Sequence, residues 1–405
     1  MSTNTVSRPL TRESVEAAHQ LITAHIHRTP ILTNTTLSQL ASTPQTPEAL
    51  RATQWEGQAP AKPKMRLFFK CENFQRIGAF KVRGAFHAVL RLIEEQGIEE
   101  VRRKGVITHS SGNHAQALAL AARTFSIPAH IVMPSISTPS KIFGTRAQSA
   151  TIHFSGSTAR EREAVVAAIQ ADTGATLVPP YDHPDIMLGQ GTVGLEATAE
   201  VAELLAASPQ LGIAGKTGLD ALLLPCGGGG MLSGTAISLY NTPTRVYGAE
   251  PSFQGADDAQ RGVEAGRRVE SVKTLTIADG LRTNLGIYPW EIISKKEYVN
   301  GMYAVTEQNI KDAMQLVLER MKCVVEPSGV VGLATVLYNE DFRRMVEKEA
   351  AEEGWNVGVV FSGGNTTIEA ITKIFADEGT SGEELQRAQG TLGRDGKKTA
   401  ENVAG

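Results

Sequence analysis

Four consecutive glycines, Gly227, Gly228, Gly229 and Gly230, follow the apolar run ALLLP and lead into MLSGTAISLY, a stretch of helical composition. Residues without Cβ let backbone N–H groups converge on an anion, and the dipole of the following helix favours the same charge. A merely tight strand-to-helix turn would not need four residues that each lose extra entropy on folding. The reading is a phosphate cradle that extends to Met231. No Lys-Ser/Thr pair ends the loop, so a nucleoside triphosphate is not indicated. GQGTVG sets Gly189, Gly191 and Gly194 at the spacing of a dinucleotide fingerprint, but it follows PPYDHPDIML rather than a strand and lies in a helical stretch. Helix packing is its expected role. A phosphate site without a nucleotide motif suggests a phosphorylated cofactor.

Three more clusters follow apolar runs: AFKVRGA (79–85) with Lys81, SSGNHAQAL (110–118) with Ser110, Ser111, Asn113 and His114, and FSGGN (361–365) with Ser362. Taken alone, Lys81 also reads as a snorkelling lysine at a helix start, and Ser111 and Ser362 as capping serines. Arg160 in GSTARERE belongs to a charged helix whose side chains are mostly solvated.

The elements that must position these clusters alternate. MRLFFKCE precedes a helix near 84–96, GVITHSS one at 113–125, AHIVMP one at 139–149, TIHFSG one at 158–172, and ATLVPP one at 185–206. The pattern resumes with ALLLPCG and a helix, RVYGAEP, MYAVTE with a helix at 307–322, and VGVVFSG with a last helix. Wholly apolar strands separated by helices predict an α/β protein with parallel sheets covered on both faces. Ligands of such sheets bind at the carboxyl ends of the strands, where all four clusters fall. A helix over 11–27 opens the chain, the Thr-, Pro- and Gln-rich stretch to residue 64 reads as a surface insertion with little chemistry, and 377–405 reads as a polar tail.

The chain has 405 residues, which at about 150 per domain is more than one unit. Forty basic against 43 acidic residues, with no basic stripe carrying aromatics, argue against nucleic acid. No run approaches a membrane span or a signal-peptide core. Cys71, Cys226 and Cys323 lie far apart without a C-x-x-C pair, which fits reduced thiols and a cytoplasmic protein.

AFKVRGA, SSGNHAQAL, VPPYDHPDIMLGQGT, GGGGMLSG, GAEP, ADG and FSGGN occur in the order found in pyridoxal phosphate enzymes of fold type II. Over residues 10–375 the chain resembles the serine racemases and serine/threonine dehydratases. The resemblance implies a tryptophan synthase β-like fold of two open, twisted, mostly parallel sheets flanked by helices. It also implies a large domain (1–104 and 184–376) that holds the cofactor, an inserted small domain (105–183) and a homodimer. Lys81 then corresponds to the lysine that carries pyridoxal 5'-phosphate, which requires partial desolvation of its amine. Ser362 corresponds to the partner of the pyridine nitrogen and Asn113 to that of the phenolic oxygen. Ser110, Ser111 and His114 fall on the substrate carboxylate side, and Arg160 matches an arginine that orients substrate.

Many simple threonine dehydratases carry Ala where this chain has Ser111. Racemisation needs acid/base groups on both faces of a planar centre, and Lys81 with Ser111 would supply them. Glu250, the Ala256 carbonyl and Asp258, beside Asp257, resemble the family's site for Mg2+ or Ca2+. SFQG puts about two extra residues into that stretch, which tests whether Asp258 keeps its place. Tyr181 replaces an asparagine found near the cofactor in animal serine racemases. The implied activity is racemisation or dehydration of serine, threonine or 3-hydroxyaspartate to 2-oxo acid and ammonia. Two alternatives stay open: a dehydratase without racemase activity, and a non-catalytic amino-acid-binding protein.

Overall fold

The computed structural model describes residues 8–110, 112–137, 139–156 and 158–376; Ser111 and the polar tail 377–405 lie outside them. Its strands are β1 (Ile31–Thr33), β2 (Met65–Cys71), β3 (Val106–His109), β4 (Ala129–Pro134), β5 (Thr151–Ser155), β6 (Thr176–Leu177), β7 (Ala221–Pro225), β8 (Arg245–Pro251), β9 (Gly301–Val305) and β10 (Trp355–Phe361). They form two sheets. One has six strands in the order β1-β2-β10-β7-β8-β9, and the other has four in the order β5-β4-β3-β6. All pairings are parallel except β1 with β2. β7 and β10 are buried along their whole length, as the apolar run ALLLP and the run WNVGVVF, polar only at Asn356, require of central strands covered on both faces. All four strands of the smaller sheet come from residues 106–177.

The helix Pro184–Ala207 packs on the helices Lys81–Gln96 and Gly230–Ser238 through its glycines. A Cβ on Gly189 would come within 2.7 Å of the Gly84 Cα, and one on Gly191 within 2.4 Å of the Gly234 carbonyl oxygen. The GQGTVG stripe therefore lets helix backbones approach one another, the packing role expected of it.

Arg83, fully buried in the third position of the Lys81 helix, uses all five of its N–H groups. Two go to Glu72 just after β2 (2.8 and 2.8 Å), two to Glu196 (2.9 and 2.7 Å) and one to Thr192 (3.1 Å) of the Pro184 helix. Lys70 of β2 adds a 2.9 Å bond to Glu196. Buried charges thus lock β2, the Lys81 helix and the Pro184 helix together.

The insertion at 42–64 is anchored. Glu340, buried at the start of the helix Glu340–Ala350, accepts from Gln45 Nε2 and from the Ala61 backbone, and Trp55 Nε1 donates to Asp341 at 2.9 Å. Residues up to Asn365 form one compact unit; beyond it, a second unit holds the helix Ile368–Phe375, capped by Thr367. Among the described residues no helix is long and apolar enough to cross a membrane. All three cysteines are free and buried.

Candidate active site

The helix carrying Lys81 begins at that residue, three positions earlier than its apolar pattern indicates, because Phe80 N–H is held by the Ser362 carbonyl at 3.1 Å. Ala79 also bridges Gly363. These bonds put Lys81 at the carboxyl end of β10. Its Nζ donates to the Pro180 carbonyl at 2.7 Å. Burial brings the amine down to about 8, against the opposing pull of the Glu326 carboxylate. That is the desolvation a lysine needs in order to act as nucleophile or base.

Glu326, which reading the sequence did not single out, sits at the centre of the remaining polar groups. It accepts from Asn113 Nδ2 at 2.8 Å, its backbone N–H reaches the Gly363 carbonyl at 3.0 Å, and a Cβ on Gly363 would strike its Oε1. Burial, reinforced by Asp279, raises its carboxyl to about 8. Asn365 Nδ2 bonds Asn113 Oδ1 at 2.8 Å and so ties the SSGNH and FSGGN loops. Ser362 is 4 % exposed, and its hydroxyl has only a 3.5 Å reach to the Ser328 carbonyl. A signal for Glu326 was present in VVEPSG, where one acid interrupts an apolar run before a turn.

The glycine loop is as crowded as a cradle should be. Gly229 adopts φ +85°, and a Cβ on Gly228 would lie 2.2 Å from the Tyr181 ring. The first bond of the following helix is donated by Ser233 to Gly229, which leaves the N–H groups of Gly230, Met231 and Leu232 at its tip. Tyr181 covers the loop, and its hydroxyl meets Thr283 Oγ1 at 2.8 Å. The step from Pro180 to Tyr181 therefore links Lys81 to the cradle.

His114 is buried, with Nε2 donating to the Val178 carbonyl at 3.0 Å and Nδ1 without a partner. A carbonyl only accepts, so Nε2 carries the proton and Nδ1 is a bare acceptor. Burial and the nearby Lys81 charge depress the imidazole to about 3, so it is neutral. Such a nitrogen suits a donor, an ammonium or hydroxyl, better than the carboxylate that the resemblance assigns to it. Ser110, half-buried, takes a 3.3 Å bond from Gly112 N–H. Ser111 lies outside the described residues. Arg160 is exposed on the first turn of the helix Ala159–Thr173, and among the described residues no hydrogen bond or ion pair joins it to the cluster.

Glu250 is the next-to-last residue of β8, and Asp258 opens the helix Asp258–Ala265 despite the extra residues before it. Glu250 accepts from the Ala259 and Gln260 backbones at 3.1 and 2.8 Å, while Asp258 accepts from Leu285 N–H at 2.9 Å. Asp258 Oδ1 is buried without a partner. Burial raises both carboxyls, with mutual repulsion second for Glu250; Asp258 reaches about 6. Asp257 turns instead to Arg261, at 2.9 Å. Ala256 is buried beside them. Among the described residues no three His, Cys, Asp or Glu side chains converge as a metal site.

A cradle that side chains would fill, a depressed amine joined to it through Pro180 and Tyr181, and an almost unpaired hydroxyl at Ser362 suit a ligand with a phosphate at one end and an aldehyde at the other. By fold and site this is a pyridoxal phosphate enzyme. The family model described as pyridoxal-phosphate dependent enzyme matches residues 48–363, and the chain belongs to that family. It is 35% identical over 357 residues to a serine racemase of Oryza sativa subsp. indica, covering 88% of this chain and 91% of that protein. To the beta-hydroxyaspartate dehydratase of Paracoccus denitrificans it is 37% identical over 363 residues, covering 89% and 98%. The structure of maize serine racemase superposes with a TM-score of 0.73 at 34% identity, covering 91% of this chain and 97% of that one.

Proposed function

We propose that this enzyme racemises and dehydrates small hydroxy amino acids, with serine, threonine and 3-hydroxyaspartate as candidate substrates. The observation that carries the reading is the Lys81 amine, brought to about 8 by burial at the head of a side-chain-free anion cradle. The names of the relatives supply the reaction class. Lys81, Asn113, Ser362 and Gly227 through Met231 would hold pyridoxal phosphate, which when bound supplies the electron sink that stabilises charge at the substrate α-carbon. Lys81 takes the α-proton on one face, and Ser111 holds the proton for the other. Ser110, Ser111 and the N–H groups at the start of the Asn113 helix favour the substrate carboxylate. The bare Nδ1 of His114 accepts from the substrate ammonium or hydroxyl. Return of a proton on the far face gives the D-amino acid; departure of the β-hydroxyl leads to 2-oxo acid and ammonia.

The inserted segment 105–183 would act as the small substrate domain, a reading supported by a sheet made only of its strands. Arg160 would reach substrate only from that domain. Glu250, Asp258 and the Ala256 carbonyl would hold Mg2+ or Ca2+, with water completing the shell; the unpartnered Asp258 oxygen supports this. Three reduced, buried thiols suit the cytoplasm.

The test is to incubate the enzyme with pyridoxal phosphate, Mg2+ and each amino acid in turn, and to quantify 2-oxo acid and both enantiomers. Ser111→Ala should cut formation of the opposite enantiomer at least tenfold while 2-oxo acid still forms from one enantiomer. If both products form at wild-type rates, Ser111 has no part in the mechanism.

A further inference from the structure

We propose that His130 and His153 form a two-imidazole site for a late first-row divalent cation such as Zn2+, Ni2+ or Cu2+. The two residues stand on neighbouring parallel strands, where His130 pairs with Thr151 and Val132 with His153. Paired residues share a face of the sheet, so the two histidines are diagonal neighbours on one side. The alternate positions, Ile131 and Ile152, turn to the apolar cluster beneath the Asn113 helix. Val132, on the histidines' own face, packs with Val166 of the Ala159 helix. Both rings are half-buried, and β5 is an edge strand of its sheet.

His130 Nδ1 lies 3.1 Å from His153 Nε2, with ring centroids 5.3 Å apart and planes inclined by 35°. One ring must donate to the other in this arrangement. Burial lowers both imidazoles below the usual histidine value, helped at His130 by repulsion from His153, so both are neutral and able to ligate near pH 7. Two metal–nitrogen bonds of about 2.05 Å that span 3.1 Å enclose an angle of roughly 100°, near that of a tetrahedral site. Binding would move the shared proton to the outer nitrogen of the same ring, a change of tautomer with no electron transfer and no net proton release. Imidazole pairs select Zn2+, Ni2+ and above all Cu2+ over Mg2+ or Ca2+, which require oxygen ligands. Since among the described residues no group of three metal-ligating side chains forms, water completes the shell and the ion exchanges. The chelate would fasten edge strand β5 to β4.

The experiment titrates the full-length holoenzyme with Zn2+ by calorimetry in saturating Mg2+, which fills sites that prefer oxygen. His130→Gln and His153→Gln should each weaken one Zn2+ equivalent at least tenfold, with the double variant no weaker than either single one, and turnover should be unchanged. Zn2+ should also raise the melting temperature of the wild type and not of the variants. Cu2+ electron paramagnetic resonance on the wild type alone should show a centre with two nitrogen ligands. Unchanged Zn2+ affinity in both variants, a loss of stability in the variants with no dependence on metal, or a copper signal lacking the two-nitrogen centre would each overturn the site and leave only a hydrogen-bonded pair.

Discussion

At pH 7 a lysine with a pKa of about 8 has roughly a tenth of its amine neutral, against about one in 2,500 for an ordinary lysine. That difference is what the surroundings of Lys81 contribute before any cofactor arrives. Glu326 is itself raised to about 8, so near the Lys81 midpoint about half of it is ionised, and that share of negative charge works against the effect by favouring the ammonium. Glu326→Gln removes that charge and keeps a carbonyl to accept from Asn113, so the Lys81 midpoint should move down. The rate at which the apo protein captures pyridoxal phosphate should rise with pH through a midpoint near 8 in the wild type, and through a lower one in Glu326→Gln; stopped-flow absorbance follows it directly. An unshifted midpoint would mean that Glu326 does not reach Lys81 electrostatically. Lys81, Asn113 and Ser362 were legible because each lies in a short motif after an apolar strand. Glu326 shows only as one acid in the apolar run VVEPSG; its importance comes from packing against Asn113 and Gly363, which are distant in sequence.

Among elements, the strand and helix alternation was readable wherever one period dominated. The helix Val331–Tyr338 does not show in that alternation, since it is apolar all round and buried and so has no amphipathic stripe. The insertion at 42–64 reads as surface by composition, yet Leu50 and Ala61 are buried and Glu340 pins it, a contact that only the fold creates. The Arg83 lock was equally hidden: Arg83, Glu72, Glu196 and Lys70 look like ordinary charges until β2 and the two helices converge on them. Removing one partner of a buried ion pair costs about 3–5 kcal/mol, because the other charge stays buried and uncompensated. Arg83→Met should therefore destabilise the enzyme by about that much in urea unfolding, and adding Glu196→Met should recover part of the loss rather than add to it. A single-variant loss below about 1 kcal/mol would show that the network is not what holds the Lys81 helix in place.

For the molecule as a whole, the Glu250–Asp258 pair makes stability depend on pH, and the proposed Mg2+ or Ca2+ site would make it depend on metal as well. Asp258 is raised from an ordinary value near 3.9 to about 6 in the folded chain, so folding favours its proton. The sign follows from linkage: the folded state is not penalised below about pH 3.9, loses stability as pH rises towards 6, and carries the full cost of about 3 kcal/mol above it. Glu250, raised in the same direction by burial and by Asp258, adds to the trend. A divalent cation between the carboxylates would reverse it, since the ion stabilises the charged forms that burial disfavours. Mg2+ or Ca2+ should accordingly raise the melting temperature little at pH 5 and by several degrees at pH 7.5. Asp258→Asn should flatten the pH dependence and abolish the metal effect together, because both arise from one ionisation. A metal-induced shift that persists in Asp258→Asn, or one that is larger at pH 5 than at pH 7.5, would place the ion elsewhere and leave these two acids as a buried pair that folding tolerates by keeping a proton.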